Sequence, residues 1–218
     1  MKIFLNDRVI EFLAKAPEHP LNSDVVTEYK TEEGLRTVWD EFYRYEKFRN
    51  LYIIEPGFCS FGNSVAFHVF SSFFKIIHAA GGLVMNEKGE YLFIHRLGFW
   101  DLPKGKIDKK DLPGAGYSRE DLQTARVAAI REVKEETGLK KVVITKELGA
   151  TWHLYTVKEK IVLKKTQWFG MEADSAQPLQ PEIREGIFLA KWTSPKAIHC
   201  ILSHTYASIR ELVLEVLF

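Results

Sequence analysis

The sequence has little of three features that would assign it to a class at once: cysteine, net charge and long apolar stretches. Two cysteines are too few for a disulfide scaffold, and Cys59 and Cys200 lie too far apart for a metal knuckle. Lysine plus arginine exceeds aspartate plus glutamate by 30 − 29 = +1, so no overall field attracts nucleic acid or an anionic membrane. There is no run of 18 apolar residues and no internal repeat. We therefore expect a soluble cytoplasmic protein with buried free thiols and neither membrane nor nucleic-acid partners.

What is present is ample material for a core, with 46% hydrophobic and 13% aromatic residues in 218 positions. That length allows one large domain or an ordinary domain with a smaller companion. The pattern of residues 1–73 predicts a small α+β domain of unknown role. Its elements are expected to be a hairpin over 2–12, helices over 31–50 and 64–77, and a strand over 51–54.

Residues 77–218 have a different pattern of predicted strands and helices, and they are predicted to form the second domain. A hairpin of two strands is expected over 79–95, with its turn at 86–89. Further strands are expected over 141–149, 151–157 and 161–173, where β-branched and aromatic residues alternate, and over 187–193. Helical spacing predicts helices over 123–137 and 195–216, the first ended by Gly138. The expected class is α/β, with helices on both sides of a mixed sheet.

Three carboxylates are clustered near the end of the helix at 123–137. Glu132, Glu135 and Glu136 stand at i, i+3 and i+4, which places them on one helical face, where like charges repel each other. A divalent cation would relieve this repulsion, and Mg²⁺ or Mn²⁺ prefers oxygen ligands while keeping positions for a phosphate. Helical rotation places small residues on the same side, namely Ala125, Ala128 and Ala129. We therefore expect an acidic metal-binding face with room for phosphates.

A second segment, Phe99 to Lys106, precedes this helix with the order Phe-Trp-Asp-Leu-Pro-Lys-Gly-Lys. Gly105 allows close approach of the backbone to a ligand, and Lys104 and Lys106 supply local positive charge. Together with Arg131–Leu139 this segment resembles the Nudix box. That pattern is glycine, five residues, glutamate, seven residues, then Arg-Glu, an aliphatic residue, any residue, Glu-Glu, any residue, glycine and an aliphatic residue. Arg131–Leu139 match its second half at every fixed position.

The resemblance covers roughly residues 77–218 and implies a Nudix-type α/β/α sandwich that hydrolyses pyrophosphate bonds. Glu132, Glu135 and Glu136 would hold Mg²⁺ or Mn²⁺, with Glu132 as a further ligand or base. Arg131 would orient a glutamate, and a later loop would supply a base from Glu185 or Glu182. The substrate would contact the lead-in segment and its preceding strand, at Arg96, Trp100, Lys104, Gly105 and Lys106.

The first half of the box departs from the pattern. Counting back eight residues from Arg131 reaches Gln123 where the family has glutamate, and 17 residues rather than five separate it from Gly105. We interpret the difference as a 12-residue insertion. Glutamine brings no charge, so the orienting role is weakened at this position. Glu120 and Asp111 are the alternatives for that role, and the sequence does not decide between them.

The leading hypothesis is a metal-dependent pyrophosphohydrolase that uses water to split a nucleoside-diphosphate-linked or related polyphosphate substrate. The diadenosine polyphosphate and diphosphoinositol polyphosphate hydrolase branches are both similar to this sequence. The first domain would shape substrate access or form a homodimer. The alternative is a nucleotide-sensing module with little turnover, suggested by Gln123 and the insertion. A DNA-binding regulator ranks third, since neither end has a basic recognition helix.

Overall fold

The computed structural model of the protein describes residues 1–58, 64–112, 114 and 118–218. The chain divides into two compact units. The first contains residues 1–76 and 152–164, and the second contains 77–151 and 165–218. Residues 152–164, expected in the second domain, group with the first 76 residues.

The first unit is an α+β arrangement with both predicted helices and the predicted hairpin. Asn6 occupies the left-handed region (φ 55°) at the hairpin turn, which asparagine tolerates well. Helix α1 is capped by Thr31, whose hydroxyl accepts from the Gly34 amide, but it ends six residues earlier than expected. The elements are β1 (Lys2–Leu5), β2 (Arg8–Leu13), β3 (Asp24–Glu28), α1 (Glu32–Arg44), β4 (Asn50–Ile54) and α2 (Val65–Ser72).

The strands of this unit follow the order β1, β2, β4, β3, with β1–β2 antiparallel and the other two pairs parallel. Strand β3 was not predicted, because its Asp-Val-Val-Thr-Glu sequence has no clear alternation of apolar and polar residues. Its core is aromatic: Phe12, Trp39 and Phe70 are buried and meet edge to face. A packed core of this kind accounts for the high aromatic content of the first 76 residues.

The second unit is built on long strands. Strand β5 starts at Lys75, so the expected helix over 64–77 stops early at Ser72. The predicted helix over 195–216 is broken in two, because Thr205 forms a β-bridge with Trp100. The elements are β5 (Lys75–Met85), β6 (Tyr91–Arg96), β7 (Phe99–Asp101), β8 (Lys104–Lys106), α3 (Leu122–Thr137), β9 (Val143–Val157), β10 (Lys160–Glu172), β11 (Ile187–Thr193), α4 (Ile198–Leu202) and α5 (Ala207–Leu217).

The sheet of this unit runs β11, β6, β5, β10, β9, with β7 added to β6 and β8 to β5. Successive strand residues point to opposite faces, so Leu92 joins the core under α3 whereas Phe93 joins the core under α4 and α5. The α/β class and the helices on both sides of a mixed sheet are therefore confirmed.

The helix α3 differs from the expectation in one respect. Ala125, Ala128 and Ala129 are buried in the core with Val133, and they do not line an open space beside the acids. Small side chains there let α3 pack closely against the sheet. Val127 in the same helix is 37% exposed.

The cysteine prediction was wrong for Cys200, which is exposed, because α4 turns this position away from the core. Cys59 lies outside the described residues. Within the described part of the chain, no helix combines the length and the hydropathy needed to span a membrane.

Candidate active site

Two of the three clustered carboxylates face into the protein. Glu132 is 6% exposed and Glu136 is fully buried, whereas Glu135 projects toward solvent from the same stretch of α3. The helix ends directly after them at Gly138, which has φ +80°. This places buried negative charge beside the strands β6, β7 and β8.

Glu136 is held by two hydrogen bonds. The backbone N–H of Lys104 donates to Oε2 at 2.8 Å, and Nη1 of Arg96 donates to Oε1 at 3.2 Å. Burial nevertheless raises the pKa of Glu136 to about 8, because the hydrogen bonds from Lys104 and Arg96 do not fully replace the water that a free carboxylate would bind. The carboxylate therefore has capacity for a further positive charge.

Gly105 makes room for Glu132. A Cβ atom at position 105 would lie 2.2 Å from the carboxyl carbon of Glu132, so any other residue would displace that side chain. Gly105 is fixed opposite Ala80 in the β5–β8 pair. Burial raises the pKa of Glu132 above its usual range, although Arg131 opposes this shift. Gly105, predicted to let a ligand approach the backbone, therefore leaves space for the Glu132 carboxylate.

The guanidinium of Arg131 is saturated. Arginine has five N–H donors, and here every one of them has an acceptor. The acceptors are Asp111 Oδ1 (2.6 Å from Nε), Asp111 Oδ2 and the Lys106 carbonyl (2.8 and 2.9 Å from Nη2), and Glu132 Oε1 and Glu135 Oε2 (both 2.7 Å from Nη1). The bond to Asp111 contributes most to raising the pKa of Arg131.

Asp111, not Gln123, is the carboxylate that orients Arg131. Gln123 is exposed at the start of α3, and no N–H of Arg131 remains for it. Five residues separate Gly105 from Asp111, which is the spacing of the box, so the inserted residues lie between Asp111 and α3. Counting back eight residues from Arg131 reached Gln123 instead of Asp111, because the insertion lies between Asp111 and Arg131. Burial opposes ionisation of Asp111, but hydrogen bonds from Arg131 and the Asp108 amide lower its pKa.

One of the two lysines expected to bind substrate has its side chain engaged within the protein. The ammonium of Lys104 pairs with the buried carboxylate of Asp101. Lys106 has an exposed side chain, and its carbonyl helps to hold Arg131. Trp100 is half-buried, with its ring edge to face with His95 at 5.1 Å. These contacts fix the strands that surround the acids.

The structure distinguishes the two glutamates of the later loop. Glu185 is exposed, with Oε2 3.7 Å from Nη2 of Arg96, so the same arginine contacts Glu185 and Glu136. The carboxylate of Glu182 accepts from the Arg184 amide and caps a short 3₁₀ helix. Of the two candidates, Glu185 is the one brought to the acids.

Sequence reasoning missed Asp101 and Tyr206. Asp101 is 3% exposed, and its carboxylate also accepts from the Leu102 amide. An acidic residue in the otherwise apolar run Phe-Trp-Asp-Leu was a usable signal, since buried carboxylates have partners. The contact of Tyr206 with Phe99 could not be predicted, because only the tertiary fold brings the two rings together.

The site is acidic overall. Five basic side chains against six carboxylates give 5 − 6 = −1 formal charge. The bases are Arg96, Lys104, Lys106, Lys110 and Arg131, and the carboxylates are Asp101, Asp111, Glu132, Glu135, Glu136 and Glu185. The repulsion between Glu132 and Glu135 is relieved by Arg131, whose Nη1 lies between them.

Comparison with known proteins identifies the family of the chain. Residues 75–215 match the NUDIX domain model, so the chain belongs to the Nudix family and is a hydrolase of pyrophosphate bonds. The first 74 residues lie outside the match.

Several solved structures are similar to this chain. A C. elegans Ap4A hydrolase is 22% identical, with 64% of this chain and 94% of that chain covered and a TM-score of 0.46. A MutT protein from Methanosarcina mazei Go1 is 24% identical, with 65% and 93% covered and a TM-score of 0.44. A Nudix hydrolase from Alicyclobacillus acidocaldarius is 17% identical, with 64% and 89% covered and a TM-score of 0.47.

Proposed function

We propose that the protein is a Mg²⁺- or Mn²⁺-dependent pyrophosphohydrolase that splits a nucleoside-diphosphate-linked or related polyphosphate substrate. The observation that carries this proposal is the buried pair Glu132 and Glu136, one seated against Gly105 and the other against the Lys104 amide. Two buried acids with raised pKa values are costly for stability, and such groups cluster at functional sites. Binding a cation is the role that this arrangement fits.

The carboxylates suit a hard divalent cation by their chemistry, since all donors are oxygens and carboxylates outnumber the basic side chains around them. Among the described residues, no three acidic, histidine or cysteine side chains already converge on one point. Instead, Glu132 and Glu135 accept hydrogen bonds from Arg131, and Glu136 accepts one from Arg96. Glu132, Glu135 and Glu136 are the residues that we propose to hold the metal.

The bound metal would neutralise charge on the phosphate chain and acidify a bound water. The remaining roles belong to side chains. Asp111 holds Arg131, which fixes Glu132 and Glu135 in turn. Glu185 is half-exposed beside Arg96 and is the proposed base for the attacking water. Arg96, Gly105 and Lys106 are the residues that we propose to contact the phosphates, whereas the amide of Lys104 holds Glu136.

The decisive experiment measures product release from a panel of nucleoside diphosphate derivatives, with Mg²⁺, with Mn²⁺ and with chelator. Glu135→Gln should lose most turnover because an amide cannot balance a divalent cation. Glu147→Gln is the matched control, since both glutamate side chains are 48% exposed and each contacts an arginine. Equal activity in the two variants would contradict the metal assignment, and activity in chelator would contradict metal dependence.

A second function is nucleotide binding with little turnover. It is favoured by the hydrogen bonds that Glu132, Glu135 and Glu136 accept from arginines, because these bonds occupy the carboxylates that would hold the metal. Calorimetric titration with adenosine diphosphate distinguishes the two functions. Binding without product release under any metal condition supports the sensing module.

A further inference from the structure

The proposed base, Glu185, lies at the end of a polar loop that passes along the end of helix α3. We call residues 173–186 the Glu185 loop. Its regular structure is a 3₁₀ turn at Ile183–Glu185. A base can act only when its carboxylate lies within hydrogen-bond reach of the attacking water. The contacts that hold this loop therefore bear on the reaction.

The backbone of the loop supplies partners for the end of α3. The last carbonyls of a helix have no partner within the helix. Here the amide of Gln180 donates to the Thr137 carbonyl at 2.8 Å. The amide of Glu182 donates to the Glu136 carbonyl at 3.2 Å. Gly138 allows this approach, since a Cβ atom there would lie 2.7 Å from Cβ of Gln180. The loop is thus joined to a proposed metal ligand three residues before the base.

One side chain of the loop, Gln177, is bound to the backbone that follows α3. Its Oε1 accepts from the amides of Lys140 and Lys141, both at 2.9 Å. Its Nε2 donates to the Lys141 carbonyl at 2.9 Å. The side-chain amide thus uses three of the four hydrogen bonds available to it on two adjacent residues. These bonds fix the plane of the amide and with it the position of the loop.

The chain between Gln177 and Glu182 is stiff. The rings of Pro178 and Pro181 fix the φ angle at about −65°, which leaves few ways for the segment to bend. Leu179 packs against the core under α3. A position set at Gln177 is therefore passed on to Glu182 and to the 3₁₀ turn that follows it.

The loop has a second side-chain contact further from the base. The hydroxyl and the amide of Ser175 both donate to the carboxylate of Glu87, the amide at 2.9 Å. These bonds lower the pKa of Glu87 to about 2. Because Gln177 lies between Ser175 and the base, a change at Ser175 leaves the contact with α3 in place. Ser175 therefore offers a matched control within the same loop.

We propose that Gln177 is a positioning residue, which holds Glu185 beside the acids by binding the Glu185 loop to the backbone after α3. This assignment rests on the proposed function, in which Glu185 is the base. A base acts in the transition state and not in substrate binding. Loss of the Gln177 contact should therefore lower kcat and leave KM nearly unchanged.

The kinetic test uses the nucleoside diphosphate derivative that is hydrolysed fastest in the panel, with Mg²⁺. Gln177→Met keeps the length of the side chain, but a thioether cannot donate and accepts only weakly. The kcat should fall by about 10- to 100-fold, as expected for displacing a catalytic group by about 1 Å. Gln177→Glu, which keeps the two accepted bonds, should recover part of that loss. Ser175→Ala should keep the kcat of the wild type.

A double-mutant cycle separates positioning from general damage to the fold. Glu185→Gln removes the base and should lower kcat by about 10²- to 10⁴-fold. Adding Gln177→Met to Glu185→Gln should then change kcat by less than about twofold, because no base is left to position. If Gln177→Met lowers kcat by the same factor in both backgrounds, its role is merely structural and the proposal is overturned.

Amide hydrogen exchange tests the contact without any assay of activity. In Gln177→Met, the amides of Lys140, Lys141 and Glu182 should exchange at least about fivefold faster than in the wild type, as expected for one lost hydrogen bond. In Ser175→Ala these amides should exchange at the rate of the wild type. An active wild type with unchanged exchange and unchanged kcat in Gln177→Met overturns the positioning role alone.

Two outcomes concern the proposed function itself. If the wild type hydrolyses no substrate of the panel, the proposed function fails and the positioning role fails with it, whatever the exchange rates. If Glu185→Gln keeps full turnover in an active enzyme, the base assignment fails, and Gln177 then has no base to position.

Discussion

Replacing Asp111 with alanine should both destabilise the protein and reduce its activity. The carboxylate is 1% exposed and accepts two hydrogen bonds from Arg131, whose side chain is 17% exposed. Removing one member of a buried ion pair costs about 3–5 kcal/mol, and the partial exposure of Arg131 favours the lower end. A loss of about 3 kcal/mol lowers the melting temperature by roughly 6–12 °C for a chain of this size.

The activity should fall because Arg131 fixes Glu132 and Glu135. Loss of a residue that orients such carboxylates costs about 10- to 100-fold. The assay is turnover of a nucleoside diphosphate derivative beside a thermal melt of the same preparation. Asp111→Glu should retain much of both, since glutamate preserves the charge pair. Gln123→Ala is the control, because Gln123 stands eight residues before Arg131, where the Nudix box has its glutamate.

The effect of pH follows from the lowered pKa of Asp111. A carboxylate whose folded pKa is depressed contributes stability above its unfolded pKa, and that contribution is lost as the pH falls through the folded value. The difference between wild type and Asp111→Ala should be full at pH 7 and should shrink below about pH 4. If the variant melts within 1 °C of wild type at pH 7 and keeps full turnover, the orienting role of Asp111 is wrong.

Three further predictions concern single positions. Gly105→Ala should reduce turnover more than about tenfold by displacing Glu132, whereas Gly114→Ala, with no atom within 4 Å of the new Cβ, should not; equal kinetics would refute the close contact. Leu97→Asn should raise the free energy of unfolding by up to about 1 kcal/mol in urea titrations, because asparagine tolerates φ +51°. Gln123→Glu should leave kcat/KM within about twofold of wild type, since Arg131 has no N–H left for it; a large change would restore Gln123 to the site.

Local patterns predicted most of the secondary structure. The hairpin at Asn6, the Thr31 cap and the Gly138 helix end each depend on a few neighbouring residues, and all three are present. The errors occur where distant parts of the chain decide. The expected C-terminal helix breaks where Thr205 pairs with Trp100, more than 100 residues earlier.

For the site, the sequence predicted the positions of the carboxylates but not their burial or their partners. The spacing of Glu132, Glu135 and Glu136 was visible, and it placed them on α3 correctly. Which of them is buried was not visible, because burial depends on the strands against which α3 packs. The role of Asp111 stayed open for the same reason, since an insertion changes distances along the chain but not the contact with Arg131.

The sequence by itself determined the family, through nine residues from Arg131 to Leu139 whose chemistry and helical spacing repeat the Nudix box. It also determined the α/β class, because periodicity is a local property. Only the tertiary structure decided which charges meet: that Arg131 binds Asp111, that Asp101 engages Lys104, and that Phe99 lies against Tyr206. These contacts join residues far apart in the chain, and they exist because strand pairing and core packing bring those backbone segments together.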